Sequence, residues 1–562
     1  MSKLIAQTKE SLYNAVTDSI NTAIENGLLP KADMPKFTIE VPGDKTHGDY
    51  ATNIAMAGAR VYRMAPAKIA QIIVDEIKTK NTFIEKCEIA GPGFINFYMS
   101  PKLNSAIVND IITLGQSYGT SDFGKGKKIL VEFVSANPTG PMHIGNARGG
   151  AIGDCLSSVL SATGHEVARE FYVNDAGNQI EKFSTSLEVR YLQKFDPSTE
   201  MPEDAYHGQD ILVHANNFAE IHGDKFVNES SEIRRKALVD YALPLNIQGL
   251  EKDLGTYRIK YDRWFKESSL HQSGAVDTII NLMKSKGHTY EKDGALWFKA
   301  CEFGNEKDIV LVRANGLPTY IVPDIAYHYD KLITRGYDTA IDVLGADHHG
   351  YVARMKAALT ALEIDSNRLD IVIMQMVRLV SGGETIKLSK RSGKAITLST
   401  LLEEVPIDSA RFIFNMREPN SHCDFDLNLA ISEDSQNPVY YVQYAHARIC
   451  SIIRALKENN ITARTCSEDE LTLLNKSEEI ELISHLSLYT DELIAASKEY
   501  DPARITKYVH QTATLFHKFY NACRVQGEDE SLMQARLNLC IATKTVISNV
   551  LTMFKVSVPE VM

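Results

Sequence analysis

Hydrophobic and polar positions change period several times along this chain, and the changes divide it. Over residues 1–25 apolar positions recur at helical spacing, 66–78 repeats that pattern, and 94–98 alternates like a strand after the Gly91-Pro92-Gly93 turn. With a polar loop over 41–55 that runs into a helix, these predict an α+β unit spanning residues 1–112. A run of β-branched and aromatic residues at 129–134 then reads as a strand, and Asn137-Pro138-Thr139-Gly140-Pro141 can continue neither strand nor helix. A helix opens near His143, and a second strand at 166–173 ends in the loop 174–178. Strand, helix, strand is the unit of a doubly wound parallel sheet, so an α/β domain is expected over 113–425.

Residues 180–285 are charged and helical in pattern and read as an insertion on that sheet. Strand patterns resume at 294–298, 309–313 and 319–322, and 341–344 is an apolar strand ending in Gly345-Ala346-Asp347-His348-His349-Gly350. From 426 to 562 the pattern is helix after helix, an all-α bundle, with 440–448 and 536–540 amphipathic. Those helices carry aromatics and arginines that suit either an RNA surface or a core. The aromatics flanking Asn96, Phe94 among them, suit stacking on an unpaired base, but on the pattern alone a half-buried sheet face is the preferred reading.

Composition changes the picture only by exclusion. At 562 residues the chain exceeds a single core. It is 44% hydrophobic and 23% charged, no stretch approaches a membrane span, and the N-terminus lacks the apolar heart of a signal peptide, so a cytoplasmic protein is expected. Eight scattered cysteines without a CxxC pair speak against a disulfide framework or a cysteine zinc site. The net charge of −12 argues weakly against nucleic acid, because binding follows local patches.

The candidate chemistry lies in two places. Gly145, Ala147, Gly149, Gly150, Ala151 and Gly153 leave the helix after His143 almost bare. Glycine costs about 1 kcal/mol in a helix interior, which suggests close approach, either of a ligand or of packed neighbours. A helix N-terminus behind a parallel strand suits phosphate, and His143 and Asn146 share its first turn. Far downstream, Lys387, Lys390, Arg391 and Lys394 sit in a glycine-bracketed loop over 381–394 that suits an anion. Asp347, His348 and His349 raise the question of a metal, but adjacent residues rarely converge on one ion, and none is expected.

His143-Ile144-Gly145-Asn146 resembles the HIGH signature of class I aminoacyl-tRNA synthetases, and Lys387-Leu388-Ser389-Lys390-Arg391 resembles their KMSKS signature, in the right order. VEFVSANPTGPMHIGNARGGAIGD, GLPTYIVPDIAYH, GADHHGY, FYNACRV and VPEVM narrow the resemblance to arginyl-tRNA synthetases of the bacterial type. It implies a Rossmann-like catalytic domain, an N-terminal domain contacting tRNA, and a C-terminal anticodon-binding domain. It implies arginine activation by ATP with Mg²⁺, transfer to tRNA(Arg), a tRNA requirement for activation, and a monomer with no tightly held metal. ATP is then expected on Pro138, Thr139, Gly140, Pro141, Met142, His143, Ile144, Gly145 and Asn146, on Gly345, Asp347 and His348, and on Lys387 to Arg391 (Lys387, Leu388, Ser389, Lys390, Arg391). His143, Asn146, Lys387 and Lys390 take the catalytic roles, holding phosphates and neutralising charge toward pyrophosphate. Arginine is expected on Glu132, Ser135, Ala136, Asn137, His143, Tyr320, Asp324 and His348, since a guanidinium needs acceptors. Phe94, Asn96, Tyr441, Arg448 and Arg536 are the positions for tRNA. Asn146 departs from the signature's second histidine but can still donate to an ATP oxygen, so tuned activity is expected. Another class I synthetase, a nucleotidyltransferase, or a silent RNA-binding relative are the alternatives. The first would not need Glu132 with Asp324, the second would not need the helical bundle, and the third would have lost His143 or Lys390.

Overall fold

A computed structural model describes residues 3–79, 82–386, 396–527 and 529–562. The first unit is a four-stranded antiparallel sheet, β1 (Ile39–Glu40), β2 (Tyr50–Thr52), β3 (Ile84–Ala90) and β4 (Phe94–Met99), in the order β1-β2-β4-β3. The period of two puts Ile95 and Phe97 into a core with Val16, Ile20 and Ile73 of the Lys3–Glu25 and Pro66–Glu76 helices.

The central sheet begins with β5 (Lys128–Phe133), β6 (Glu166–Val173) and β7 (Arg263–Lys266). Between β6 and β7 lie the helices Asn178–Gln193, Gln209–His222 and Ser231–Thr256, packed around Phe183, Tyr191, Phe218 and Leu238. The helical reading of 180–285 therefore holds only in part, because β7 lies inside that stretch and pairs in parallel with β6. β8 (Thr289–Lys292), β9 (Ala295–Phe298) and β10 (Ile309–Val312) form a separate antiparallel sheet instead of extending the main one. The strand expected at 319–322 is absent. Thr319 still bonds β10 through its N–H to Leu311, but Ile321–Tyr329 is a helix whose Ile321, Val322, Ile325 and Ala326 are buried, so a helical apolar face was mistaken for a β-branched strand.

β11 (Thr339–Gly345) and β12 (Leu369–Met374) complete a five-stranded parallel sheet of order β12-β11-β5-β6-β7. The Ile144–Ala162 helix crosses from β5 to β6, and His349–Ala361 crosses from β11 to β12. Strand order thus reverses between β5 and β11, and the cleft beyond their carboxyl ends is the place for a ligand. A Cβ on Gly153 would stand 2.2 Å from Phe133 Cγ, and one on Gly150 2.7 Å from Ile259 Cδ1, so these two glycines let the helix lie down on its neighbours.

β13 (Val377–Ser381) and β14 (Glu384–Thr385) form a hairpin, turned by Gly382 and Gly383 at φ 60° and 83°, two successive positive φ values that glycine takes without strain. β15 (Cys423–Asp426) runs parallel on the other side of β13. The C-terminal helices, from Pro438–Glu458 to Glu530–Met553, share one core with Ile107 and Ile111 of the Pro101–Leu114 helix and with Val159 of the Ile144–Ala162 helix. Buried Arg411 joins the units: it pairs with Asp154 at 2.5 Å and donates to the carbonyls of Tyr257 and Phe554.

Candidate active site

Three carboxylates stand in register across the sheet: Glu132 on β5 faces Asp342 on β11 and Glu170 on β6. All three are buried, which is untenable for like charges without cations. The cations come from one helix. Ile321–Tyr329 runs on through a π-helical turn, Asp330–Thr334, and so brings Tyr327, His328, Lys331 and Arg335 over the row. Lys331, with no exposed surface, donates to Glu132 Oε2 at 2.5 Å and to Asp342 Oδ1 at 2.8 Å. His328 Nε2 meets Asp342 Oδ2 at 2.8 Å, and Arg335 grips Glu170 with both terminal nitrogens, at 2.5 and 2.8 Å. Lys331 and His328 together hold the Asp342 carboxyl well below its ordinary range, against its burial.

Asp324, on the same helix, is left over. Burial raises its pKa to about 8, helped by the negative charges of Glu267 and Glu132 and only partly relieved by Lys331. Glu267, next to β7, is itself raised, first by burial. The cleft therefore has more carboxylate than cation, and an added guanidinium would find acceptors at Asp324 and Glu132.

The chain leaves β5 under strain. Val134, read as the last strand residue, lies outside the strand at φ 70°, and Ser135 follows at φ 40°. The Ser135 N–H donates back to the Phe133 carbonyl at 3.0 Å, a γ-turn of the rare hand, costly for a β-branched residue. Its effect is to aim the Ser135 hydroxyl at Glu132 Oε1, 2.8 Å away, while the Ser135 hydroxyl oxygen itself accepts from the Tyr172 N–H at 3.1 Å. Ala136 packs on the core below, Asn137 is exposed, and the Pro138 carbonyl accepts from Asn246 of the Ser231–Thr256 helix at 2.9 Å.

Beyond this turn, His143 is exposed and caps the Ile144–Ala162 helix. Asn146 accepts from the His143 N–H through Oδ1 at 3.0 Å, so its carbonyl is committed to the cap and its amide nitrogen is the group left to donate. A Cβ on Gly145 would meet nothing within 4 Å, so the cleft is open there. The glycine cluster is thus divided: Gly145 faces open space, and Gly150 and Gly153 face packed neighbours. Thr139, Gly140 and Pro141 form the rim, with Met142 and Ile144 buried beneath it.

Gly345 ends β11, and the exposed Asp347 and His348 follow, 3.8 Å apart, with the His348 ring edge-on to Tyr351. Tyr320 is 65% exposed, its hydroxyl accepting from Arg354 at 3.1 Å. Lys387, Leu388, Ser389, Lys390 and Arg391 lie outside the described residues. The residues around them are placed: Ile386 bonds Leu379, and Thr397 forms a β-bridge with His143, where the Leu398 N–H donates to the Met142 carbonyl at 2.9 Å. Among the described residues no group of three ligating side chains could hold a metal.

The positions suggested for RNA fare unequally. Phe94 is exposed on β4, whereas Asn96 is 4% exposed between Ala51 and Glu88. Arg536 must be corrected to a structural role, because it is buried in the bundle with Glu479 at 2.7 Å and the Arg524 carbonyl at 2.6 Å. Tyr441 packs against His510 and His517. Arg448 lies 4.8 Å from the Tyr520 ring and lines a cavity of about 590 Å³ with Tyr444, Arg524 and Met562. Sequence reasoning missed Asp342 and Glu267, and also Lys331 and Arg335, which a helical continuation past Tyr329 would have suggested.

Three family profiles cover the chain: the arginyl tRNA synthetase N terminal domain over residues 11–99, the class I (R) tRNA synthetase catalytic domain over 107–450, and the DALR anticodon binding domain over 442–562. An arginine–tRNA ligase of Caldanaerobacter subterraneus is 53% identical over 560 residues, and one of Ruminiclostridium cellulolyticum 50% over 562, each alignment covering 100% of both chains. The arginyl-tRNA synthetase structure from Thermus thermophilus, 20% identical, superposes with a TM-score of 0.72 over 99% of this chain and 100% of that one, a likeness of fold.

Proposed function

The chain belongs to the arginyl-tRNA synthetases, and from that premise we propose how its own residues carry out ATP-dependent arginylation of tRNA. Arginine lies with its guanidinium between Asp324 and Glu132, and the surplus of carboxylate over cation is the observation that carries this reading. Ser135 and Lys331 hold Glu132 in place for it, and Tyr320, Asn137 and His348 close over the backbone end of the substrate. Bidentate pairing with buried carboxylates would discriminate against uncharged analogues by up to about 10⁴, because the acceptors would otherwise stay unpaired.

ATP sits across the helix N-terminus, with its adenine over Gly145 and its phosphates on His143, the Asn146 amide and the free N–H groups of the first turn. An oxygen of the arginine carboxylate attacks the α-phosphorus, and the bond to pyrophosphate breaks. The charge that develops there is met by Lys387 and Lys390 of the signature-like stretch. A hydroxyl of the terminal ribose of tRNA then attacks the arginyl carbonyl, and AMP leaves. Mg²⁺ comes with the nucleotide. The Tyr444, Arg448 and Tyr520 cavity takes unpaired bases by stacking, with Tyr441 behind it and Phe94 on the N-terminal sheet touching tRNA elsewhere. No helix among the described residues is long and apolar enough to cross a membrane, and a cytoplasmic monomer is the form proposed.

ATP–pyrophosphate exchange with each amino acid in turn, with and without tRNA, tests this. Exchange with arginine that depends on tRNA is expected. Exchange with another amino acid would overturn the guanidinium assignment, and exchange with none would leave an RNA-binding protein.

A further inference from the structure

Four arginines are buried among the described residues, and three of them have carboxylates: Arg234 with Glu188 at 2.9 Å, Arg411 with Asp154, and Arg536 with Glu479. The fourth, Arg148, has none. It is 0% exposed on the inner side of the Ile144–Ala162 helix, and its two terminal nitrogens donate to backbone carbonyls, Gln375 at 2.7 Å and Glu418 at 3.0 Å. Its Nε has no partner. Burial lowers its pKa, with only the Cys423 thiol opposing. A buried guanidinium without a counter-ion is costly, and carbonyls could be tied by an uncharged amide, so packing alone does not account for a cation here.

What Arg148 holds is informative. Gln375 is the residue after β12, and its N–H donates to Pro419 at 2.9 Å, while Met374 before it lies 3.5 Å from where a Cβ on Gly149 would stand. Two residues later β13 begins, and its hairpin delivers the chain to Ile386, next to Lys387 in sequence. Thr397, later in the sequence, bridges the His143 turn. Described residues on both sides of Lys387 in sequence are thus fastened to the Ile144–Ala162 helix, Gln375 by Arg148 and Thr397 by its bridge. Five residues separate Arg148 from His143, about 7.5 Å of helix rise, so the unpaired charge also lies behind the turn proposed for phosphate, where a low dielectric leaves it weakly screened.

We propose that Arg148 is a positioning residue for the activation step, fixing the β12–β13 crossing against the catalytic helix and lending positive potential to the phosphate turn. This deepens the reading given above and rests on it. The test is ATP–pyrophosphate exchange by the full chain with tRNA(Arg), comparing wild type with Arg148→Lys, which keeps charge but not two diverging donors, and Arg148→Met, which keeps neither. Both should bind arginine with KM within about twofold of wild type, while kcat falls ~10-fold for Arg148→Lys and ~100-fold for Arg148→Met. A folded Arg148→Met with kcat within about threefold of wild type would overturn the proposal, as would an arginine KM that rises in step with the loss. If Arg148→Met does not fold, Arg148→Lys decides: wild-type kcat at a lowered Tm makes the arginine a structural tie only. Failure of the wild type to exchange with arginine would instead refute the underlying assignment, independently of the ratio between variant and wild type.

Discussion

At the residue scale the site is a problem in charge balance. Glu132 has one oxygen committed to Lys331 and the other to Ser135, so the ion pair is in place, and the proposed guanidinium contact would share those same oxygens. The sequence does not disclose this pairing, because the lysine lies 199 positions away. Nor does any residue preference announce the γ-turn at Val134, a position where the fold overrides what valine favours. Asp324 is the residue from which a pH dependence follows. With its pKa raised to about 8 from an ordinary 3.8, the folded protein holds a proton that the unfolded chain sheds near pH 4, so its contribution to stability declines as pH rises from about 4 to 8. A guanidinium reverses the preference. Arginine binding at pH 7 should therefore release about one proton, and the apparent affinity should improve as pH approaches 8. Calorimetry in two buffers of different ionisation enthalpy checks this: Asp324→Asn should abolish the release, and unchanged release would put the proton elsewhere.

The Ile144–Ala162 helix shows what patterning can and cannot convey about an element. Its small residues were plain in the sequence, but which of them meet protein and which meet open space depends on the partners. Gly153→Ala should cost about 1–3 kcal/mol or more, since its methyl would overlap the Phe133 ring on the strand beneath, far inside van der Waals contact. Urea unfolding measures that loss, and a wild-type midpoint would mean that the helix can ride up. Gly145→Ala should leave the midpoint unchanged while raising the KM for ATP. The strand misread at 319–322 has the same origin as the success with β5: a short apolar run without a visible period fits either state. Here the helix won, and with it came the spacing that sets Asp324, Tyr327, His328 and Lys331 over one row of carboxylates.

For the whole molecule, three units and a helical C-terminus were legible, but not which faces are core. Arg536 and Arg448 look alike in sequence. One is buried with Glu479, and the other leans over Tyr520 at a cavity. Arg536→Met should strand the Glu479 carboxylate and destabilise by about 3–5 kcal/mol, with no selective effect on tRNA. Arg448→Ala should raise the KM for tRNA ~10-fold at an unchanged unfolding midpoint, as expected for a lost stacking contact. Steady-state aminoacylation with the two variants separates these roles, and the reverse pattern would exchange them. The Ala503–Ala522 helix spans the distance between the cavity and the catalytic domain, with Tyr520 at one end and, at the other, Thr506 bonded to the Asn415 carbonyl at 2.8 Å. One helix therefore joins the Tyr520 cavity to the catalytic domain.

The bond from the Leu398 amide to Met142 gives the molecule a natural reporter. That single proton is shielded only while two segments far apart in sequence remain zipped at the His143 turn. Deuterium uptake there, timed before and after nucleotide is added, would register the tightening or loosening of the catalytic cleft without any dye, label or substitution.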